Sequence, residues 1–91
     1  SDMYVITLEI GGTEMGSVDF ADRIQELMTE GKSSICFIIG GSDGLDKSVT
    51  DISDMHLSFS RMTFPHQLMR IIFLEQLYRA FRIIKKEPYH K

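Results

Sequence analysis

Three histidines, one cysteine and three short turns are the parts of this 91-residue sequence whose types and spacing could do chemistry. The turns read "EIGG" (9–12), "GGSDG" (40–44) and "SRMTF" (60–64). Gly40 and Gly41 have no Cβ, so a planar ring can approach their backbone closely. "GGSDG" is not a P-loop, which needs a lysine followed by Ser or Thr after its last glycine. Its glycines are also wrongly spaced for the dinucleotide fingerprint, so it gives little support to phosphate binding. No histidine spacing suits a metal, and no pair of carboxylates can be placed as an acid and a base. Cys36 lies inside the apolar stretch "SICFII", which favours a small buried hydrophobe over a reactive thiol. His56, at a strand start, reads as structural or exposed. His66 directly follows Pro65 at a helix start, and His90 stands next to the final residue.

The elements that must position these residues alternate in period. "YVITLEI" (4–10) is β-branched and apolar, a strand that Gly11-Gly12 is expected to end. Ser17 can cap a helix with Asp19 in its first turn; Phe20, Ile24, Leu27 and Met28 share one face, and Gly31 closes it. "SICFII" (34–39) is apolar on both faces, as in a strand covered on each side. Leu45, Val49 and Ile52 mark a short amphipathic helix, and "HLSFS" (56–60) a third strand. Pro65 opens the longest helix, which runs to about Ile84 before Pro88. Its residues Met69, Ile72, Phe73, Leu77, Ala80, Phe81 and Ile84 form one apolar face, which Leu68, Ile71 and Tyr78 extend toward the other side. An edge helix apolar on both sides predicts a symmetric dimer.

Strand and helix in strict alternation predict an α/β fold, a parallel sheet with helices on both faces and residues 1–91 forming one domain. Ligands of such sheets bind beyond the carboxyl ends of the strands, and that rule selects the same three turns. Composition fits a globular chain: 43% hydrophobic residues build a core, and no apolar run is long enough to cross a bilayer. With no signal-like start, the chain is expected in the cytosol. The net charge of −3 hides a division. Residues 1–54 carry three basic groups against eleven acidic ones, whereas residues 55–91 carry seven against two. A segregated basic end is the footprint of a polyanion binder, although Lys85 and Lys86 equally suit the last turn of a helix.

The segments "VITLEIGG", "FIIGGSDGL", "LSFSRMTFPHQLMRIIFLEQLYRAFRI" and "PYHK" together resemble the bacterial 23S rRNA pseudouridine-N3 methyltransferase family, of the SPOUT class. The likeness covers essentially the whole chain, and its "TFPH…R…E.LYRA" part is the most diagnostic. It implies a SPOUT-type fold with a trefoil knot, a homodimer, and S-adenosyl-L-methionine as cofactor. Composition and periodicity do not point to a knot, and general topology argues against one.

By position, the resemblance implies cofactor contacts at Leu8, Gly40, Phe59, Ser60, Arg61, Met62, Thr63 and Phe64. It places His66, Tyr89 and His90 near the reacting atoms, with His90 a candidate for orientation or proton transfer. The reaction implied is methyl transfer to N3 of a pseudouridine in large-subunit rRNA, on assembled ribosomes and with no metal or membrane partner. That nitrogen must lose its proton as it attacks the methyl group. Arg61, Arg70, Arg79 and Arg82 would meet RNA phosphate or support the dimer.

Two departures bear on these expectations. The family tail usually carries arginine after "YH", where this chain has Lys91, which keeps the charge but not the planar fork. The family is also considerably longer at its amino end. The alternative reading is therefore a shortened, knotted dimeric scaffold that lacks catalysis and binds cofactor weakly or not at all.

Overall fold

The structure, a computed structural model, describes residues 3–32, 34–40 and 44–87. Its elements run β1 (Met3–Glu14), α1 (Ser17–Thr29), β2 (Ser34–Ile39), α2 (Lys47–Thr50), β3 (Met55–Ser58) and α3 (His66–Ile84). The three strands form a parallel sheet in the order β2-β1-β3. Parallel neighbours require crossovers, and α1 and the α2 segment supply them. The α/β class with a parallel sheet is thus the architecture the alternation predicts.

Period two along β1 divides its side chains between two faces. Ile6 packs under the helices with Leu57 of β3, against Phe20, Ala21, Ile24 and Leu27 of α1 and Ala80 of α3. Ile24 and Leu27 are 1% and 0% exposed. Full burial of one such side chain contributes about 2 kcal/mol. Four rings continue this core toward the carboxyl end of the sheet. Phe37 and Phe73 lie 4.6 Å apart, and Phe20 and Phe59 flank them at 6.3 to 6.5 Å. Thr7 points to the opposite face, where Ser53, in the turn after α2, brings its hydroxyl to 2.8 Å from the Thr7 hydroxyl.

Several local expectations change. β1 does not end at Gly11-Gly12; it continues to Glu14 through a register shift, with Leu8 and Thr13 both opposite Leu57. Gly12 belongs there because its backbone runs against β3, and a Cβ would stand 2.8 Å from the carbonyl carbon of His56. Ser17 is not the cap of α1. Gly16 takes that position, and the Ser17 hydroxyl instead donates to Gln76 Oε1 of α3 at 2.7 Å, tying the two helices together. Met28 is exposed rather than on the buried face. α2 is a single turn capped by Asp46, with Leu45 before it and Ile52 exposed after it. Cys36 is half-buried, because it lies on the face away from α1 and α3.

Candidate functional site

The three turns converge. At the carboxyl ends of the strands they enclose a cleft of about 290 Å³. The register shift in β1 contributes Leu8, Glu9, Ile10 and Gly11, and the end of β2 contributes Ile39, Gly40, Gly44 and Leu45. Leu57, Phe59, Ser60, Met62, Thr63 and Phe64 come from β3 and the segment after it, and His66 and Met69 from the first turn of α3. Of the described residues the sequence marked out, Leu8, Gly40, Phe59, Ser60, Met62, Thr63, Phe64 and His66 therefore meet in one wall. Arg61 is exposed and does not line the cleft. Tyr89 and His90 lie outside the described residues.

Hydrogen bonds hold the turns to one another. The buried Ser58 hydroxyl reaches the carbonyl of Ile10 at 3.1 Å and that of Ser60 at 3.0 Å, joining the first turn to the third. Ser60 in turn accepts the Met62 amide on its hydroxyl at 2.9 Å. His66 Nδ1 lies 2.9 Å from the Gly40 carbonyl oxygen and joins the start of α3 to the end of β2. A carbonyl can only accept, so Nδ1 carries the hydrogen, and in the neutral tautomer the lone pair lies on Nε2.

Gly40 is a glycine for a reason other than the one expected. A Cβ at this position would sit 2.9 Å from Leu45 Cγ and 3.0 Å from the Gly44 carbonyl carbon. The missing side chain therefore lets Gly44 and Leu45 come close to Gly40, with Leu45 packed into the space. The wall is mostly apolar, and among the described residues its one ionised side chain is Glu9. Glu9 Oε2 accepts from the Thr7 hydroxyl at 2.6 Å and also contacts His56 Nδ1. Burial opposes ionisation of this carboxyl. The Thr7 hydroxyl, the His56 hydrogen bond and the His56 charge outweigh burial and hold it below its ordinary value.

Sequence reasoning did not single out Leu45, Leu57 or Met69 for the site. Met69 carried a usable signal, since it falls one helical turn after His66 on the same face. Among the described residues, no group of His, Cys, Asp and Glu could hold a metal ion, and no helix is long and apolar enough to cross a membrane.

A parallel α/β sheet with a cleft built from its strand-end turns is the arrangement in which α/β proteins hold ligands. Comparison with known proteins is more specific. Residues 1–90 match the family model described as "Predicted SPOUT methyltransferase", and the chain belongs to that family. It is 62% identical over 88 residues to the ribosomal RNA large subunit methyltransferase H of Finegoldia magna, covering 97% of this chain and 55% of that protein. With the protein of the same name from Bacillus pumilus it shares 57% identity over 90 residues, 99% of this chain and 57% of the relative. A relative from Methanococcus maripaludis is 63% identical over 90 residues, again 57% of its own length. The chain thus spans about half the length of the curated relatives it matches.

Proposed function

We propose that this chain carries the cofactor cleft of a methyltransferase that uses S-adenosyl-L-methionine to methylate N3 of a pseudouridine in large-subunit rRNA, working as a homodimer. The observation that carries this reading is the convergence of three turns, distant in sequence, on one cleft. Its size and composition suit an adenosyl group. Leu45, Phe59 and Met69 offer apolar surface for a flat ring, and Gly40 lines the cleft beside them. The names of the relatives support ribosomal RNA as the substrate.

When bound, S-adenosyl-L-methionine supplies an electrophilic methyl group. The chain's own contribution is to orient the target base and remove its proton. His66 is the described residue suited to the second task, because its bond to Gly40 fixes the ring and leaves Nε2 as the acceptor. Tyr89 and His90 are assigned to orientation or proton transfer on the resemblance alone.

Dimerisation is supported by the outer face of α3. Leu68, Ile71, Leu74, Tyr78 and Phe81 are 37 to 64% exposed and follow one another at three- and four-residue spacing. Phe81, expected on the inner face, joins this outer stripe. For RNA, the structure gives grounds to divide the arginines. Arg79 pairs with Glu75 at 2.8 Å and Arg82 with Glu87 at 3.3 Å, whereas Arg61 and Arg70 are exposed near the cleft and at the start of α3. Arg61 and Arg70 are accordingly assigned to phosphate contact.

Calorimetric titration with S-adenosyl-L-methionine tests the reading, and saturable binding is expected. No heat at millimolar cofactor would defeat it and leave the inactive scaffold. Methyl transfer to ribosomes from a strain lacking the modification then tests the substrate.

A further inference from the structure

Glu9 is an anion held at a fixed place in an apolar wall, and it has an acceptor to spare. Both of its contacts use Oε2: the Thr7 hydroxyl at 2.6 Å and His56 Nδ1. Thr7 is fully buried and is braced in turn by Ser53 at 2.8 Å. Oε1 makes no hydrogen bond among the described residues. Unlike the rest of the wall, this carboxylate accepts and cannot donate, so its complement is a ligand group with paired donors.

An adenosyl ligand presents three sets of donors: the 6-amino group, the ribose hydroxyl pair, and the ammonium of the amino-acid end. The ammonium is joined to its own carboxylate, which Glu9 would repel. The 6-amino group belongs to the flat ring, whose complement is the apolar surface on the other walls. A vicinal diol has neither conflict, and two adjacent hydroxyls match a carboxylate oxygen in a fixed position. We propose that Glu9 is the ribose-recognising residue of the cleft, its Oε1 accepting hydrogen bonds from the 2′- and 3′-hydroxyls of the adenosyl group. Thr7 and His56 are the positioning residues that aim it. This inference rests on the reading of the cleft as an adenosyl site.

Calorimetry with three ligands tests it: S-adenosylhomocysteine, 5′-deoxy-5′-methylthioadenosine, which lacks the amino-acid end, and the 2′,3′-dideoxy analogue of the latter. The unaltered protein binds methylthioadenosine about tenfold more tightly than the dideoxy analogue. Glu9→Gln weakens methylthioadenosine and S-adenosylhomocysteine by the same factor and leaves the dideoxy analogue unchanged. Equal affinity of the unaltered protein for the two methylthio ligands overturns the assignment without reference to any variant. Loss confined to S-adenosylhomocysteine in Glu9→Gln also overturns it, because Glu9 then serves the ammonium. If the unaltered protein binds none of the three, the adenosyl reading itself falls and this assignment with it.

Discussion

His66 Nδ1 donates to the carbonyl of Gly40, 26 residues earlier in the chain, at 2.9 Å. This bond joins Gly40, at the end of β2, to the first turn of α3, and both residues line the cleft. Removing it releases Gly40 from α3 without touching the core, since His66 is exposed. His66→Ala should therefore weaken S-adenosyl-L-methionine binding about tenfold, the worth of one well-placed hydrogen bond, while changing the thermal midpoint little. His66→Asn places an amide N–H near the position of Nδ1 and should recover much of the affinity but not the methyl-transfer rate. Calorimetry beside single-turnover methylation separates the two roles. Equal rates for the Asn variant and the unaltered protein would remove His66 from proton transfer.

Gly40→Ala tests the turn from the other side. The added methyl would stand 2.9 Å from Leu45 Cγ and 3.0 Å from backbone of Gly44, inside ordinary contact distance. Leu45 can give way, but the Gly44 backbone can do so only by moving away from Gly40. A stability loss of about 1 to 3 kcal/mol is expected, as for other overpacked sites. Cofactor affinity should fall as well. Urea unfolding and the same titration measure both.

The location of the site was legible because a general rule of parallel sheets turns three apolar runs into three strand ends. The first strand end was misread in one respect. A Gly-Gly pair after a strand normally reads as a turn, but at Gly12 it permits the backbone of His56 to pass close by while β1 continues. That distinction depends on what lies opposite the glycine, which no local pattern contains. Ser17 shows the same limit: its type fits a helix cap, yet Gln76, 59 residues away, takes the hydroxyl. Glu9 lay within a turn marked out by sequence, but its partner His56 becomes a neighbour only when β1 and β3 pair.

The outer stripe of α3 predicts the oligomeric state. Ile71 and Leu74 are 64% and 59% exposed, too apolar a pair to face water on a helix whose inner face is already packed. Ile71→Glu combined with Leu74→Glu should convert a dimer to a monomer with unchanged far-ultraviolet circular dichroism. Sedimentation equilibrium reads the mass directly. A dimer that survives both charges places the interface elsewhere, and a monomeric unaltered protein removes it.

Acid stability should reflect Glu9. Its carboxyl is held below the ordinary value of 4.5, with burial opposed and outweighed by Thr7 and His56. A carboxyl whose folded pKa is depressed stabilises the fold above its unfolded pKa and loses that contribution as pH falls through the folded value. The unaltered protein should therefore lose stability on acidification from about 4.5 downward, and Glu9→Gln should lose less over the same range. Asp46, depressed by its bonds from Ser48, is common to both proteins, so the difference between the two curves isolates Glu9. Parallel curves would show that Glu9 is no more favourably placed when folded than unfolded.

Arg70 carries the prediction about nucleic acid. It is exposed on the first turns of α3, whereas Arg79 and Arg82 on the same helix are held by Glu75 and Glu87. A cation already paired releases few counterions when it meets phosphate, while an exposed one contributes fully to the salt dependence of binding. Arg70→Ala should lower affinity for a large-subunit rRNA stem-loop and reduce the slope of log affinity against log salt by about one. Arg79→Ala should change that slope by less, and cofactor affinity should be the same in both. Fluorescence anisotropy across a salt series makes the measurement, and equal slopes for the two variants would show that pairing does not decide which arginines meet the RNA.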